Sequence, residues 1–378
     1  MADLFLCGDI VNYHNTEGLL CSDELSEMIA DADCAVCNFE APISGFGAPR
    51  PKTGPHIAQL PATVDGLKKQ GFDILLLANN HIMDYGPDGL QATMQRISDA
   101  GLECLGAGAD ADSAYAPHIR TIGGLKIGMV NACEAQFGVL DLFAGDQQAG
   151  YAWIHHPRID TTILSLRSQC DFVIVFAHAG LERYPVPQKE WRARYRHFCD
   201  LGADAVIGSH PHVPQGYERH GDSLICYSLG NFYFDSRKNI PNENRSYAVM
   251  MELEKDKPPQ FRPVHHYTSE GRVWPAPKEK QVDLPHLCEL LGEPYTREHD
   301  KMSLEAYDTI HKKLLLSMLP VPYDGSAWSM VRQMSRNLLK RKKPKNQRIR
   351  QLHLFRNESY YYAAKHALEL LARGQDDG

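Results

Sequence analysis

Apolar runs that end in polar residues alternate with amphipathic stretches along the first 270 residues of this 378-residue chain. Residues 74–78 are five consecutive apolar residues, which is typical of a strand buried on both faces. Residues 89–100 follow with helical periodicity, and the alternation then repeats. The pattern predicts an α/β fold with helices covering the sheet. The predicted strands are 4–7, 34–39, 74–78, 126–131, 172–176, 205–207, 224–228 and 247–254, and the predicted helices are 25–31, 61–70, 89–100, 158–169 and 188–201.

The pattern changes after residue 270. Prolines such as Pro275, Pro277 and Pro285 interrupt the chain, and helical periodicity returns at 303–318, 328–339 and 358–373. We therefore expect two domains. The predicted domains are 1–275, which carries the strand and helix alternation, and 276–378, a mainly helical C-terminal appendage.

The composition narrows the class of protein. Hydrophobic residues make up 43% and charged residues 23% of the chain, which argues against a disordered, collagen-like or membrane-embedded protein. We find no transmembrane-length apolar window and no basic N-terminal signal region. The ten cysteines lie mostly in apolar runs, and Cys34 and Cys37 form the one CxxC. We expect reduced, buried cysteines in a cytoplasmic protein.

The net charge of −7 conceals an asymmetry. Residues 1–270 hold 21 Lys and Arg against 34 Asp and Glu, whereas residues 271–378 hold 19 against 13. Much of the basic excess lies in residues 336–350, which contain eight Lys and Arg and no acidic residue. The run indicates contact with an anionic membrane surface or an anionic polymer, or a solvated charge run between helices. A nucleic-acid role has no fold signature in its support.

Polar residues with metal-binding side chains follow several predicted strands. The carboxyl ends of strands are where ligand sites of open α/β sheets lie. Mixed nitrogen and oxygen ligands suit Mn, Fe or Zn, whereas Ca²⁺ and Mg²⁺ prefer oxygen alone. Two carboxylates, one amide and up to four imidazoles give six or more ligands, which exceed the needs of one open site and predict two divalent ions that share a carboxylate. The candidates are Asp9, Glu40, Asn80, His81, His178, His210 and His212.

Each candidate also has a structural interpretation when it is considered alone. Asp9 follows a glycine and suits a turn cap, and Glu40 precedes Pro42 as a surface charge would. A single His178 suits a core position in which its ring is hydrogen-bonded. The order of all the candidates and their repeated position after strands favour the metal site.

Six motifs in order resemble the CapA-type capsule-synthesis family, which is associated with poly-γ-glutamate and is a branch of the calcineurin-like metallophosphoesterase superfamily. The resemblance covers residues 3–240. It implies a metallophosphoesterase-like four-layer α/β/β/α sandwich. The motifs are Gly8-Asp9, Asn38-Phe39-Glu40, Ala78-Asn79-Asn80-His81 with Asp84 and Gly86, His178-Ala179-Gly180 with Glu182, Gly208-Ser209-His210-Pro211-His212-Val213, and Tyr227-Ser228-Leu229-Gly230-Asn231-Phe232.

The resemblance implies a role for each matched residue. Asp9 and His212 are expected at the first metal, Glu40 between the two metals, and Asn80, His178 and His210 at the second. His81 is expected beside the ligands as a general acid, with Asp84 orienting it. Candidate substrate contacts are Glu182, Arg50, Lys52 and Asn231.

The chain also departs from the superfamily pattern. Val11 stands where the first motif usually has a His, and His14 is the nearest alternative. Glu40 replaces an Asp, and Ala179 stands where the family often has Trp. Many relatives carry an N-terminal membrane anchor, which we do not find in this sequence. The first metal position therefore lacks one expected ligand.

Three functions remain open on the sequence. The first is metal-dependent hydrolysis of a phosphoester in capsule, polyglutamate or other cell-surface polymer synthesis. The second is amide or Cα-proton chemistry on a carboxylate or peptide substrate at the same metals. The third is a non-catalytic accessory protein with a degenerate site. The expected substrate is an anionic small molecule or polymer.

Overall fold

The computed structural model describes residues 1–145, 147–235, 244–312, 314, 328, 331–332, 335 and 345–376. The chain divides into two compact units. The first unit comprises Met1–Arg50 and His56–Tyr295, and the second comprises Pro51–Pro55 and Thr296–Gly378. Residues 276–295 therefore belong to the first unit.

The first unit contains the strands. In chain order they are β1 (Ala2–Val11), β2 (Cys34–Phe39), β3 (Ile74–Leu76), β4 (Glu103–Leu105), β5 (Ala107–Gly108), β6 (His118–Ile122), β7 (Leu125–Cys133), β8 (Val139–Leu140), β9 (Gly150–Ala152), β10 (Phe172–His178), β11 (Ala205–Ser209), β12 (Tyr217–His220), β13 (Ser223–Cys226), β14 (Asn231–Phe234), β15 (Arg245–Leu253), β16 (Gln260–Ser269) and β17 (Arg272–Pro275).

Two large sheets organise these strands. The first has the order β17-β16-β15-β1-β2-β3-β4, with β14 also paired to β1, and its β1, β2 and β3 run parallel. The second has the order β12-β13-β11-β10-β7-β6, with β7, β10, β11 and β13 parallel. Strands β5, β9 and β8 form a small third sheet.

The helices of the first unit cover the outer faces of the two large sheets. Helices α1 to α3 share a core with the first sheet, and α5 and α6 contact strands of the second. The helices are α1 (Asp23–Ala30), α2 (Ala62–Lys69), α3 (Gly86–Asp99), α4 (Ala111–Ala114), α5 (Pro157–Arg167), α6 (Lys189–Asp200) and α7 (Leu284–Glu289).

The period-two alternation of β1 explains the layering. Leu4 and Leu6 point into a core shared with Ile127 and Ile174 of the second sheet. Phe5 and Cys7 point to the opposite face, into the core shared with the helices. Both faces of β1 are therefore buried, which explains its apolar sequence. The expected four-layer α/β/β/α arrangement is confirmed.

The described part of the second unit is helical. Helix α8 (Tyr295–Ala306) continues into a π-helical turn, Tyr307–His311, and α9 (Lys345–Arg356) and α10 (Glu358–Asp376) follow. Helix α10 matches the predicted 358–373, whereas α8 begins before the predicted start at residue 303. Most of the predicted helix 328–339 and residues 336–344 of the basic run lie outside the described residues.

Polar strands were the main elements that the hydrophobic pattern did not predict. Strand β6 reads His-Ile-Arg-Thr-Ile and alternates between exposed and half-buried positions. Strand β12 is similarly polar. Both strands lie at edges of the second sheet, where a strand pairs with one neighbouring strand instead of two. The ten cysteines have free thiols. Within the described residues, helices long and apolar enough to cross a membrane are absent.

Candidate metal centre

Six of the sequence-predicted ligands meet at the carboxyl ends of five parallel strands. The strands β1, β2 and β3 belong to the first sheet, and β10 and β11 to the second. Because the two sheets pack face to face, their strand ends form one edge. The six residues, all buried, are Asp9, Glu40, Asn80, His178, His210 and His212.

Asp9 is held at a close approach between two backbones. The Asp9 amide donates to the Gly230 carbonyl at 3.2 Å. A Cβ on Gly8 would collide with that same carbonyl, so a glycine is needed before the aspartate. The Asn38 side-chain amide donates to Asp9 Oδ1 at 2.7 Å, and the His210 amide donates to Asp9 Oδ2 at 3.3 Å. The carboxylate is therefore fixed in one orientation.

Glu40 is the central carboxylate of the cluster. Its side chain is fully buried, and neither carboxylate oxygen has a hydrogen-bond partner within the described residues. Oε1 lies 3.8 Å from His178 Nε2 and 3.7 Å from His212 Nε2. Burial raises the pKa of Glu40 well above its usual range, and the Asp9 carboxylate adds to the rise. A buried carboxylate without hydrogen bonds is a costly arrangement that a bound cation relieves.

His178 and His210 present imidazole nitrogens to the same space. His178 Nδ1 lies 2.9 Å from Ser209 Oγ, which directs Nε2 toward Asn80 Oδ1 at 3.1 Å. His210 Nδ1 lies 3.0 Å from His178 Nε2. Burial lowers the pKa of His178 well below its usual range and that of His210 to about 4. Both rings are neutral at pH 7, which is the form that binds metals.

His212 differs from the other two imidazoles in charge. Burial alone would lower its pKa, but the carboxylates of Glu40 and Asp9 raise it well above the usual range. His212 Nδ1 lies 3.4 Å from Asp9 Oδ2 and 2.9 Å from Asn231 Oδ1. Both His210 and His212 have positive φ angles, of 96° and 60°. Such strain at non-glycine residues is typical of functional sites.

The donor atoms form two groups with a common member. Asp9, Glu40 and His212 make one group, and Glu40, His178 and His210 make the other. Within each group the donor atoms lie within 4.8 Å of one another. The mixed imidazole and carboxylate set suits divalent transition metals, and the unpartnered oxygens of Glu40 suit a bridge between two ions. The residues therefore fit the expected pair of metals, and the role of each ligand stays a prediction.

His81 and Asp84 form a hydrogen-bonded pair beside this cluster. His81 Nδ1 and Asp84 Oδ2 are 2.8 Å apart, and Asp84 Oδ2 also accepts from the Ile57 amide at 2.8 Å. Because a carboxylate only accepts, His81 Nδ1 carries the proton of this bond. His81 is close enough to His178 that a charge on the His81 ring lowers the pKa of His178.

The candidate substrate contacts are more dispersed. Burial by itself raises the pKa of Glu182, but the imidazoles of His212 and His210 outweigh this and lower it, so Glu182 lies beside the cluster. Arg50 Nη1 is buried and has no hydrogen-bond partner among the described residues, and the Arg50 amide donates to the Asp84 carbonyl at 2.9 Å. Lys52 falls in the second unit. The role of Glu182, Arg50 and Lys52 in binding substrate stays a prediction.

Two buried polar residues near the cluster were not assigned a role from the sequence. Asn38 orients Asp9 and also lies 3.2 Å from His178 Nδ1. Glu134 Oε1 lies 3.7 Å from His210 Nε2, and its Oε2 accepts from the Gly180 amide at 3.3 Å. Glu134 directly follows strand β7, so the strand-exit pattern that marked the other ligands also marks this position.

Val11 occupies the position of the missing first-motif histidine. Its side chain is buried in a small apolar cluster with Ala41 and Ile57. His14 is largely exposed, and its Nδ1 lies 3.4 Å from Asp235 Oδ2. Neither residue belongs to the two donor groups. The first group therefore has fewer imidazoles than the second.

Solved structures with a similar arrangement share little sequence with this chain. A hypothetical protein from Thermus thermophilus is 18% identical with a TM-score of 0.46, covering 73% of this chain and all of that one. The calcineurin-like phosphoesterase YfkN from Bacillus subtilis is 12% identical with a TM-score of 0.39, covering 79% of this chain and 98% of that one.

Relatives with assigned names are closer in sequence. The capsule biosynthesis protein CapA of Bacillus anthracis is 28% identical over 60% of this chain and 56% of its own length. The PGA biosynthesis protein CapA of Bacillus subtilis (strain 168) is 32% identical over 48% of this chain and 47% of its own length. The probable polyglutamine synthesis accessory protein Rv0574c of Mycobacterium tuberculosis (strain ATCC 25618 / H37Rv) is 27% identical over 54% and 56%. The chain spans about half the length of these curated relatives.

The family model described as bacterial capsule synthesis protein PGA_cap matches residues 4–236. The matched segment includes the six gathered ligands and the pair of His81 and Asp84. It covers more than half of the chain, and the CapA-type resemblance is thereby confirmed. The chain belongs to the bacterial capsule synthesis protein PGA_cap family.

Proposed function

We propose that this chain is a metal-dependent hydrolase that cleaves phosphoester bonds during the synthesis of capsule, polyglutamate or another cell-surface polymer. The observation that supports the proposal is the position of Glu40, which belongs to both groups of donor atoms and whose carboxylate oxygens have no hydrogen-bond partner within the described residues. A shared carboxylate is the arrangement expected of a pair of ions that act together on one phosphoryl group.

Bound divalent ions supply Lewis acidity, which stabilises charge on phosphoryl oxygens and makes water a stronger nucleophile. The protein supplies the geometry for this chemistry. Asn38 holds Asp9 through a bond of 2.7 Å, and Ser209 holds His178 through a contact of 2.9 Å. These buried contacts keep the donor atoms directed at the cluster before a substrate arrives.

His81 is proposed as the general acid that protonates the leaving oxygen. Asp84 engages Nδ1 at 2.8 Å, so proton transfer to the substrate is assigned to Nε2. The Asp84 carboxylate also stabilises the positive charge of a protonated ring, which raises its basicity. A general acid of this kind contributes about 10²–10⁴-fold to the rate.

The proposed substrate is anionic. Arg50 supports this because its buried Nη1 lacks a hydrogen-bond partner in the described part of the protein, as expected of a guanidinium that awaits an anion. Asn231 is less suited to direct substrate contact, because its Oδ1 already lies 2.9 Å from His212 Nδ1.

We also propose that the basic run 336–350 docks to an anionic surface. Liposome binding by the full-length chain and by a chain without residues 336–350 would test this proposal.

The proposal is tested with the full chain loaded with Mn²⁺. Bound metal is counted by mass spectrometry, and turnover is measured on a phosphomonoester and a phosphodiester of p-nitrophenol. We expect two metals per chain and turnover of one or both esters. His81→Ala is expected to keep both metals and lose about 10²–10⁴-fold in kcat. His210→Ala is expected to lose the second metal together with activity.

His286→Ala is the matched control, since the side chain of that histidine is exposed and lies 3.8 Å from Glu289 Oε2. It is expected to keep metal content and turnover. Activity that survives both His81→Ala and His210→Ala unchanged would disprove the assignment.

A second candidate is a non-catalytic accessory role. The supporting observation is Val11, because an apolar residue packed against Ala41 and Ile57 replaces a ligand of the first metal. In that case the purified chain binds at most one metal and turns over neither ester, yet still binds polyglutamate. The same metal count and assays therefore separate the two candidates.

A further inference from the structure

A second cluster of metal-binding side chains lies in the helical unit. Helix α8 provides His299 and Asp300, and helix α10 provides His366. Asp300 Oδ1 lies 2.6 Å from His366 Nε2 and 3.9 Å from His299 Nδ1. The two imidazole rings are 4.7 Å apart and nearly perpendicular. Two rings from different helices therefore converge on one carboxylate oxygen.

The cluster is largely shielded from solvent. The side chain of His299 is 4% exposed, that of His366 15% and that of Asp300 32%. One donor atom from each residue lies within 4.8 Å of the other two. A hydrogen bond between Asp300 and His366 explains the shortest distance. His299 adds a second buried imidazole beside the same carboxylate.

The distances suit a metal after small side-chain movements. Nitrogen and oxygen ligands lie about 2.0–2.2 Å from Zn²⁺, so tetrahedral donors are separated by about 3.4 Å. The 2.6 Å contact would lengthen and the 3.9 Å contact would shorten to reach that value. Two imidazoles and one carboxylate are a common ligand set for zinc.

We propose that His299, Asp300 and His366 bind one divalent transition-metal ion of the zinc type, separate from the catalytic pair. Three protein ligands would leave the fourth position of a tetrahedral ion for water. The ion would join α8 to α10, whose liganding residues Asp300 and His366 are 66 positions apart in sequence. The enclosed segment contains the basic run 336–350, so the ion would close the loop that carries it.

Such a clip couples metal binding to the stability of the helical unit. A metal that binds only the folded arrangement stabilises it according to its affinity and concentration. The proposal requires nothing of the catalytic centre, because its ligands all belong to the second unit. An experiment can therefore disprove metal binding at one of the two sites without disproving it at the other.

The experiment counts Zn²⁺ bound by the full chain after equilibrium dialysis. It uses the Glu40→Gln background, in which the carboxylate shared by the catalytic donor groups is lost. Adding His299→Ala, His366→Ala or Asp300→Asn is expected to remove one equivalent of Zn²⁺, or to weaken its binding at least about tenfold. Asp300→Asn is informative because its amide oxygen still accepts a hydrogen bond from His366.

His353→Ala is the matched control within the helical unit. Its ring packs against Tyr360 and is not among the three donors. We expect this variant to retain the full Zn²⁺ content of the background. Equal Zn²⁺ content in the background and in all three cluster variants would overturn the proposal. Helical circular dichroism identifies any variant that has unfolded.

A measurement on the unsubstituted chain removes the dependence on variants. Diethyl pyrocarbonate modifies imidazole nitrogens, and mass spectrometry gives the rate at each histidine. Zn²⁺ is expected to slow the modification of His366 at least several-fold and to leave the exposed His286 unchanged. Identical rates at His366 with and without Zn²⁺ would reject the site.

Discussion

His210 Nδ1 lies 3.0 Å from His178 Nε2, although His178 ends strand β10 and His210 follows strand β11 of the second sheet. Burial lowers the pKa of both imidazoles, so neither ring carries a proton on both nitrogens at neutral pH. Two neutral rings that direct nitrogens at each other across 3.0 Å, beside a buried carboxylate, form a good environment for a cation. The buried carboxylate beside these two rings is Glu40, so its role as a metal ligand is tested first.

Glu40→Gln is expected to stabilise the metal-free protein and to abolish its stabilisation by Mn²⁺. The wild-type carboxylate is buried, neither of its oxygens has a hydrogen-bond partner within the described residues, and a neutral amide costs less to bury. In EDTA we expect the free energy of unfolding to rise by about 1–3 kcal/mol. Added Mn²⁺ should raise the Tm of the wild type and leave that of the variant nearly unchanged.

Glu252→Gln is the control for that comparison, because Glu252 is an exposed residue of β15. It should respond to EDTA and to metal as the wild type does. If Glu40→Gln destabilises the metal-free chain, Glu40 is a structural residue and the shared-ligand assignment is wrong.

Glu134→Gln is expected to weaken metal binding at the second position alone. Glu134 Oε1 faces His210 Nε2 at 3.7 Å, on the side of the ring away from His178. A carboxylate behind a metal-bound histidine orients the ring, and its loss typically lowers metal affinity about 10–100-fold. The substituted glutamine would keep an oxygen for the Gly180 amide. Gln136, whose Nε2 donates to Glu134 Oε1 at 2.8 Å, can turn its side-chain amide to accept from the new NH₂ group, so the fold should persist. Titration with Mn²⁺ should show one weakened and one unchanged site, whereas two unchanged sites would contradict the role.

Asp84→Asn separates positioning of His81 from metal binding. The amide oxygen of the variant can still accept from His81 Nδ1, but the charge that stabilises a protonated ring is gone. We expect kcat to fall by about 10–100-fold, which is less than the loss of the general acid itself, with metal content unchanged. Loss of metal from this variant would show that Asp84 instead supports the ligand shell.

The strand ends could be predicted from the sequence because burial on both faces leaves a readable pattern. Residues 74–78 and 172–176 are apolar throughout and break into Asn or His, which placed the candidate ligands at one sheet edge. Edge strands such as β6 and β12 carry polar residues, so the same pattern does not reveal them. Pairing with a neighbouring strand, rather than local periodicity, determines these elements.

The site residues, like the strands, could be predicted only where they follow a strand with a clear apolar pattern. Asp9 and Glu40 could be predicted as neighbours because parallel strands β1 and β2 end together. Glu134 follows its strand in the same way, yet only the three-dimensional packing shows that it faces His210. Arg50 and Lys52 are close in sequence but fall in different compact units, which no local pattern reveals.

His266 lies in a strand-like stretch outside the matched motifs, and its environment predicts an effect of pH on stability. The side chain lies in β16 and is 1% exposed, and neither ring nitrogen has a hydrogen-bond partner in the described structure. The Phe232 ring packs against it at 4.9 Å. Burial, with a small contribution from His265, lowers the pKa of His266 to about 3.

The sign of the effect follows from proton binding. Between the unfolded pKa of about 6.5 and the folded pKa of about 3, the unfolded chain binds a proton that the folded chain does not. Stability is therefore lost as pH falls through this window, by about 1.4 kcal/mol per pH unit. Between pH 7.5 and pH 5.0 the wild type should lose about 2 kcal/mol through this residue alone.

His266→Phe is expected to remove that loss, because phenylalanine has no proton to bind and suits contact with Phe232. Urea unfolding at pH 7.5 and pH 5.0 measures the change for each protein. His286→Ala is the control, since the side chain of that histidine is exposed and its removal should leave the wild-type pH dependence intact. If His266→Phe loses as much stability as the wild type between these pH values, His266 takes up its proton in the folded state and is not sealed from water.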